Sequence, residues 1–265
     1  MKKQITSCIP TECPWRDTLY WYDTIDSTNT HLKTLAKDGA PEGTVVLAGH
    51  QTQGRGRLGR SFHSPQGGGV YLSLLLRPQC PPEQLMHLTC AAGIAACDAI
   101  DAVSGFRPGI KWINDLVAEG RKLGGILTEL SIDPQTGLVN YAIIGIGINC
   151  KQMDFPEELQ SIVTSLDQHA KQSAESHQVA AAIITELWKL RNSTLLDVPA
   201  ILTRYRKDCI TLGAAVTVLG NGTTQRAVAV DLDPSGGVIV ELENGKRQTV
   251  SSGEVSVRGL YGYVE

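Results

Sequence analysis

Three arginines stand among three glycines in Gln51-Thr52-Gln53-Gly54-Arg55-Gly56-Arg57-Leu58-Gly59-Arg60, directly after the apolar, β-rich run Thr44–Ala48. Glycine lets a backbone approach a ligand closely, and the planar guanidinium fork bonds phosphate or carboxylate oxygens in pairs. The first expectation is therefore a loop that holds a phosphate-bearing substrate. Gly54, Gly56 and Gly59 also satisfy G-x-G-x-x-G, but a dinucleotide fingerprint must open a helix and be followed by an acidic residue about 20 positions on. Here Ser61-Phe62-His63-Ser64-Pro65-Gln66-Gly67-Gly68-Gly69 follows, which cannot be helical. A solvated basic turn is the plain alternative.

Other chemistry-bearing residues lie to either side. Lys111 is a lone cation in the strand-like run Ile110-Lys111-Trp112-Ile113-Asn114-Asp115-Leu116, which is broken by an Asn-Asp turn. Asp26-Ser27-Thr28-Asn29 reads as a helix cap, with Asp26 or Ser27 in the capping role and with hydroxyls and free amides able to serve a polar ligand. Gly124, Gly125, Gly145 and Gly147 interrupt two apolar runs. Glycine weakens a strand, so these positions suggest close approach of a ligand or tight packing against another backbone.

The elements that must position these residues are legible in outline. Strands are expected at Leu19–Tyr22, Thr44–Ala48, Val70–Leu76, on both sides of the Asn-Asp turn, and at Lys122–Leu130 and Val139–Asn149. A helix over Leu32, Leu35 and Ala36 stops at Gly39, and a long apolar helix follows Pro81-Pro82. Two more helices are expected at 176–191 and 198–207. From Thr211 the texture changes to short strands with Gly220-Asn221-Gly222 and Asn244-Gly245 turns, the pattern of a small β barrel. A boundary near Leu212 divides the chain into units of 1–211 and 212–265.

With 265 residues, 42% hydrophobic, the chain can bury a full core. Its net charge of -3 argues against a general nucleic-acid binder and makes the arginines a local positive site. The first ten residues lack the apolar run of a signal peptide, and no segment is expected to span a bilayer. A cytoplasmic enzyme without membrane contact is the expectation. The seven cysteines show no paired C-x-x-C spacing, so free thiols are expected, with Cys90 and Cys97 as small core residues. The six histidines form no zinc motif.

Asp26-Ser27-Thr28-Asn29, the arginine loop, Lys111-Trp112-x-Asn114-Asp115, Arg121-Lys122-Leu123-x-Gly125-Ile126-Leu127 and Gly145-Ile146-Gly147-Ile148-Asn149 occur in the order seen in biotin protein ligases. The resemblance runs from about Leu19 to Glu265 and includes Gly253-Glu254-Val255-Ser256-Val257-Arg258. It implies an α/β (α+β) catalytic domain with a mixed sheet and helices like that of class II aminoacyl-tRNA synthetases, followed by an SH3-like β barrel. The implied reaction joins biotin to the α-phosphate of Mg-ATP as biotinyl-5′-AMP. The biotinyl group then passes to a lysine of a biotin carboxyl carrier protein.

The resemblance also implies roles. Lys111 would sit between the biotin carboxylate and the α-phosphate, and Arg55 would belong to a loop closing over biotin and the adenylate. Ser27, Thr28 and Gln51 would meet the ureido ring, assisted by the Gly54 and Arg57 backbone, with Gly125, Gly145 and Gly147 in the biotin site. Arg57, Arg60, Phe62, Asn114, Asp115, Asn149 and Arg258 would serve ATP, with Asp115 also on Mg²⁺. Ile113 and Phe62 stand where the family commonly has proline and tryptophan. The short segment before the first strand leaves no room for a winged-helix DNA-binding domain, so a ligase without operator binding is expected. A lipoate-type acyl-adenylating enzyme and a non-catalytic biotin sensor are the rival readings. A homodimer is expected, with the strand ending at Asn149 either at a two-fold edge or internal.

Overall fold

A computed structural model of the chain describes residues 1–193, 197–220, 223–251 and 256–259. The first half holds α1 (Lys2–Cys8), β1 (Leu19–Tyr22), α2 (Thr28–Lys37), β2 (Val45–Ala48), β3 (Gly69–Leu76) and α3 (Leu88–Ser104). Then come β4 (Gly109–Lys111), β5 (Asp115–Ala118), β6 (Arg121–Ile132), β7 (Val139–Asn149), α4 (Glu157–Gln160), α5 (Ser176–Ser193) and α6 (Val198–Asp208). The chain finishes with β8 (Ala215–Gly220), β9 (Thr223–Leu232), β10 (Val238–Leu242), β11 (Arg247–Val250) and β12 (Ser256–Gly259).

The first seven strands form one mixed sheet in the order β1-β2-β3-β7-β6-β5-β4. β1 and β2 are parallel, and α2 supplies the crossover that a parallel pair needs. All other neighbours in this sheet are antiparallel. β7 lies between β3 and β6, so both of its edges are already hydrogen-bonded. This settles the strand ending at Asn149 as internal, and it cannot pair across a two-fold axis.

Side chains alternate across this sheet and supply two separate cores. Val45, Leu47, Leu74, Leu76, Ile144, Ile146 and Ile148 face the large core with α3, α5 and α6. Val46, Leu75, Tyr141 and Ile143 face the other way and pack with Leu32 and Ala36 of α2. α2 is short and covers only part of its face. Where its cover ends, the strands carry Ser73, Gly125, Gly145 and Gly147, which lie on the same side by register. Small residues there leave the face unfilled.

The long apolar helix starts later than expected, at Leu88, because Pro82–Leu85 forms a 3-10 turn. Gly105 ends it at φ 68°. Contrary to the sequence expectation, Pro82–Ser104 is long and apolar enough to cross a bilayer by length and composition, but 72% of its apolar window is buried within the protein. It packs against α5 and the sheet as a core helix. Ser27 takes the N-cap position of α2, yet its side chain makes no cap bond. Gln51 Oε1 accepts from the Thr28 amide instead, at 2.9 Å. All seven cysteines are free, and Cys90 and Cys97 are fully buried in α3, where burial pushes both thiols up.

The expected small β unit is a five-stranded antiparallel sheet in the order β11-β10-β9-β8-β12. Its inward residues Val216, Val218, Ala229, Val238 and Val240 join the large core. Of the turns expected here, Asn244-Gly245 has Gly245 at φ 76°. Asn221 and Gly222 lie outside the described residues, as do Gly253, Glu254 and Val255.

Candidate active site

The uncovered part of the α2 face is a cavity of about 380 Å³, within the usual size of small-molecule sites. One end is polar and buried. Thr28 donates to Gln51 Oε1 from its amide at 2.9 Å and its hydroxyl at 3.1 Å, and Gln51 Nε2 donates to Ser64 Oγ at 2.8 Å. Ser73 Oγ lies 2.8 Å from Thr28 Oγ1 and donates to Asn29 Oδ1 at 2.5 Å. Ser27, Thr28, Asn29, Ser64 and Ser73 are each less than 5% exposed. A buried group of donors and acceptors this dense suits a polar ring rather than an alkyl tail. Leu127 supplies apolar wall, and the strands pass beneath the cavity at Leu72, Ile126 and Ile146, whose side chains join the large core on the other face.

The other end is cationic. Among the described residues Arg55, Arg57, Arg60, Lys111 and Lys122 line the cavity with one carboxylate, Asp115, so five cations face one anion in a protein of net charge -3. The arginine loop is a tight hairpin. Phe62 N–H donates to Gly54 O at 2.9 Å and Gly56 N–H to Arg60 O at 2.7 Å, with Leu58 at φ 55° at the exposed tip. No helix follows, which removes the dinucleotide reading. Arg57 Nη1 donates to Asn114 Oδ1 at 3.0 Å, tying the loop to the β4–β5 turn. Burial lowers the Arg57 pKa, and Arg60 adds to this while Asp115 opposes it.

Lys111 ends β4 and pairs in register with Asp115 across that turn. The turn is held from behind: Trp112 N–H donates to Thr211 Oγ1 at 2.8 Å, and its indole Nε1 donates to Gly236 O at 2.9 Å. Tyr205 Oη donates to Ile113 O at 3.2 Å. α6, the segment that follows it and the β9–β10 turn thus hold the turn that carries the lysine. Lys122 Nζ sits 2.7 Å from Asp115 Oδ1 and 6.0 Å over the Phe62 ring. The Phe62 ring lies against the glycines: a Cβ on Gly147 would fall 2.5 Å from it and one on Gly125 3.5 Å.

The cavity therefore brings together Ser27, Thr28, Gln51, Arg55, Arg57, Arg60, Phe62, Lys111, Asn114, Asp115, Gly125, Gly145 and Gly147. Gly54 and Asn149 are not on its wall. Gly54 is pressed against the Phe62 carbonyl, where a Cβ would sit 2.2 Å away, and it shapes the loop. Asn149 is 5% exposed and donates to Thr164 O at 3.1 Å. The Arg258 side chain lies outside the described residues. Sequence reasoning gave no role to Asn29, Ser73, Lys122 or Glu129. Asn29 and Lys122 stood inside quoted motifs, whereas Ser73 and Glu129 look like ordinary strand residues until the register is known.

Among the described residues no three His, Cys, Asp or Glu side chains come together as a metal site. Among the described residues Asp115 is the one carboxylate at the cavity, and although Lys122 pairs with its Oδ1, one carboxylate plus substrate phosphates is a donor set that fits Mg²⁺.

The chain is similar to known proteins along most of its length. Residues 21–149 match the profile described as "Biotin/lipoate A/B protein ligase family", and residues 211–258 match "Biotin protein ligase C terminal domain". The chain is 36% identical over 252 residues to the bifunctional ligase/repressor BirA of Bacillus subtilis, covering 88% of this chain and 72% of that protein. It is 32% identical over 241 residues to the biotin–[acetyl-CoA-carboxylase] ligase of Mycobacterium tuberculosis, covering 86% and 85%. The structure of the Aquifex aeolicus biotin protein ligase in complex with biotin and ATP superposes with a TM-score of 0.74 at 29% identity, covering 91% of this chain and 99% of that one. At these identities over most of both chains, the chain belongs to the biotin protein ligase family.

Proposed function

We infer that the protein is an ATP-dependent ligase that activates biotin as biotinyl-5′-AMP and transfers it to a lysine of a biotin carboxyl carrier protein. The observation that carries this reading is the single cavity with a buried polar end and a five-cation end. Biotin has a polar ureido ring at one end and a carboxylate at the other, so its two ends match the two ends of the cavity. Ser27, Thr28 and Gln51 bond the ring, and the apolar wall takes the carbon skeleton. Gly125, Gly145 and Gly147 keep the floor open.

A carboxylate attacking a triphosphate brings like charges together. Two unit charges about 4 Å apart repel by roughly 4 kcal/mol at an effective dielectric near 20. Lys111 offsets that repulsion, since a compact ammonium can follow charge from carboxylate to α-phosphate. Arg57 and Arg60 hold the phosphates, Arg55 belongs to the closing loop, and Phe62 and Asn114 border the nucleotide. Asp115 would give a ligand to the Mg²⁺ that accompanies ATP, and the ion would neutralise phosphate charge there. Pyrophosphate leaves, the carboxylate oxygen is bonded to phosphorus, and the carrier amine then attacks the acyl carbon and releases AMP. Loop closure keeps water from the mixed anhydride meanwhile. Residues 1–211 form the catalytic unit and 212–265 the C-terminal unit that braces Trp112.

The test is pyrophosphate exchange into ATP by purified protein with biotin or lipoate, repeated with Lys111→Ala. Biotin-dependent exchange that falls about a thousandfold in the variant, the equivalent of roughly 4 kcal/mol, is expected. Exchange with lipoate alone would move the protein to lipoate activation. Biotin binding without exchange would make it a sensor.

A further inference from the structure

Glu129 has no part in the chemistry above, yet three side chains converge on it. Its Oε1 lies 2.6 Å from Lys33 Nζ and 3.2 Å from Arg55 Nη2. Its Oε2 accepts from Asn29 Nδ2 at 2.9 Å and from Arg55 Nη1 at 3.3 Å. The two-point contact with Arg55 fixes an orientation as well as a distance. Burial works to raise the Glu129 pKa, but bonds from Lys33 and Asn29 and the charges of Lys33 and Arg55 outweigh it and leave it lowered. The carboxylate is therefore ionised throughout the neutral range.

The three partners come from different elements. Asn29 and Lys33 belong to α2, whose first turn carries Thr28, while Arg55 belongs to the arginine loop and Glu129 itself to β6. Asn29 also meets Ser73, which lies against Thr28. Glu129 is thus the junction between the helix at the polar end of the cavity and the loop that closes its other end. Its side chain is 20% exposed, so water screens the junction only in part.

We propose, resting on the biotin-ligase reading, that Glu129 is a positioning residue that anchors the arginine loop to α2 through Arg55 and so couples occupation of the ring site to loop closure. Glu129→Gln keeps the shape and one acceptor oxygen but drops the charge. In the full chain without ligand, trypsin cleavage after Arg57 and Arg60 is expected to rise on the order of fivefold in this variant, the equivalent of one ion pair. Biotin is expected to slow that cleavage strongly in the wild type and weakly in the variant. With carrier protein, the KM for biotin is expected to rise more than kcat falls.

Arg55→Gln removes the same pair from the other side and must loosen the loop equally, and the double variant must loosen it no further. That comparison also covers a Glu129→Gln protein that folds poorly. A role confined to packing would lower the melting temperature without changing loop cleavage, and would overturn the proposal. So would additive effects of the two substitutions. Ligand-free cleavage needs no activity, so a wild type inert towards biotin sinks the ligase reading while cleavage still decides the anchor.

Discussion

Replacing Gly145 with alanine probes the register on which the whole cavity depends. A Cβ there would lie 2.2 Å from Asn29 Oδ1, 2.9 Å from its Cγ and 3.0 Å from its Nδ2. The Asn29 amide would have to retreat by about 1 Å to reach ordinary contact. It is not free to do so, because Oδ1 takes the Ser73 hydroxyl at 2.5 Å and Nδ2 donates to Glu129 at 2.9 Å. Losing a neutral bond costs about 1 kcal/mol and one to a charged group about 2, so about 3 kcal/mol of stability is at stake. For a chain of this length that is roughly 6 °C in Tm. Because Asn29 adjoins Thr28, biotin affinity is expected to fall more than tenfold, measured by calorimetry. Asn29→Ala makes room for the methyl, so the Asn29→Ala/Gly145→Ala protein should melt no lower than Asn29→Ala alone. A Gly145→Ala protein that melts within about 1 °C of wild type, the range of an innocuous surface change, would refute the argument.

Two further outcomes follow from the same geometry. Trp112→Phe leaves the Gly236 carbonyl without its indole donor, at a cost of about 1–3 kcal/mol by denaturant melting. Because residue 112 follows Lys111, kcat in the exchange assay should fall more than the KM for biotin changes. The Glu129 carboxyl has a folded pKa below its ordinary value of 4.5, so its contribution is complete above that pH and is lost as pH falls towards the folded value. The stability difference between wild type and Glu129→Gln should therefore be constant at neutral pH and shrink below about pH 4.5; a difference that grows on acidification would contradict the assignment.

The tight turn and positive charge of the arginine loop were readable residue by residue, because glycine and arginine at that spacing constrain backbone and charge locally. Lys111 was readable for a similar reason, since a cation inside a strand pattern is costly unless something uses it. Strand and helix positions were legible from periodicity, with errors at ends such as Leu88, where a proline turn delays the helix. Glu129 and Ser73 could not be found in this way. A serine or glutamate on a strand looks solvent-facing until cross-strand pairing puts it beside another element's polar group. The bond from the Asn149 side chain to the Thr164 carbonyl was equally hidden, because it joins the end of one strand to a later loop.

Local pattern alone determined the element types, the change of texture near Thr211 and the residue types able to carry charge chemistry. Each depends on steric and electrostatic preferences within a few neighbouring positions. Tertiary structure decided which of those residues meet. Register sets Ser73 beside Gly145 and Gly147 beside Gly125, and so determines where the sheet face stays empty. Strand order makes β7 internal, and the distant Gly236 carbonyl fixes the turn behind Lys111. Contacts between residues far apart in the chain form only when packing energy offsets the entropy of closing the loops between them. No local sequence pattern encodes that balance.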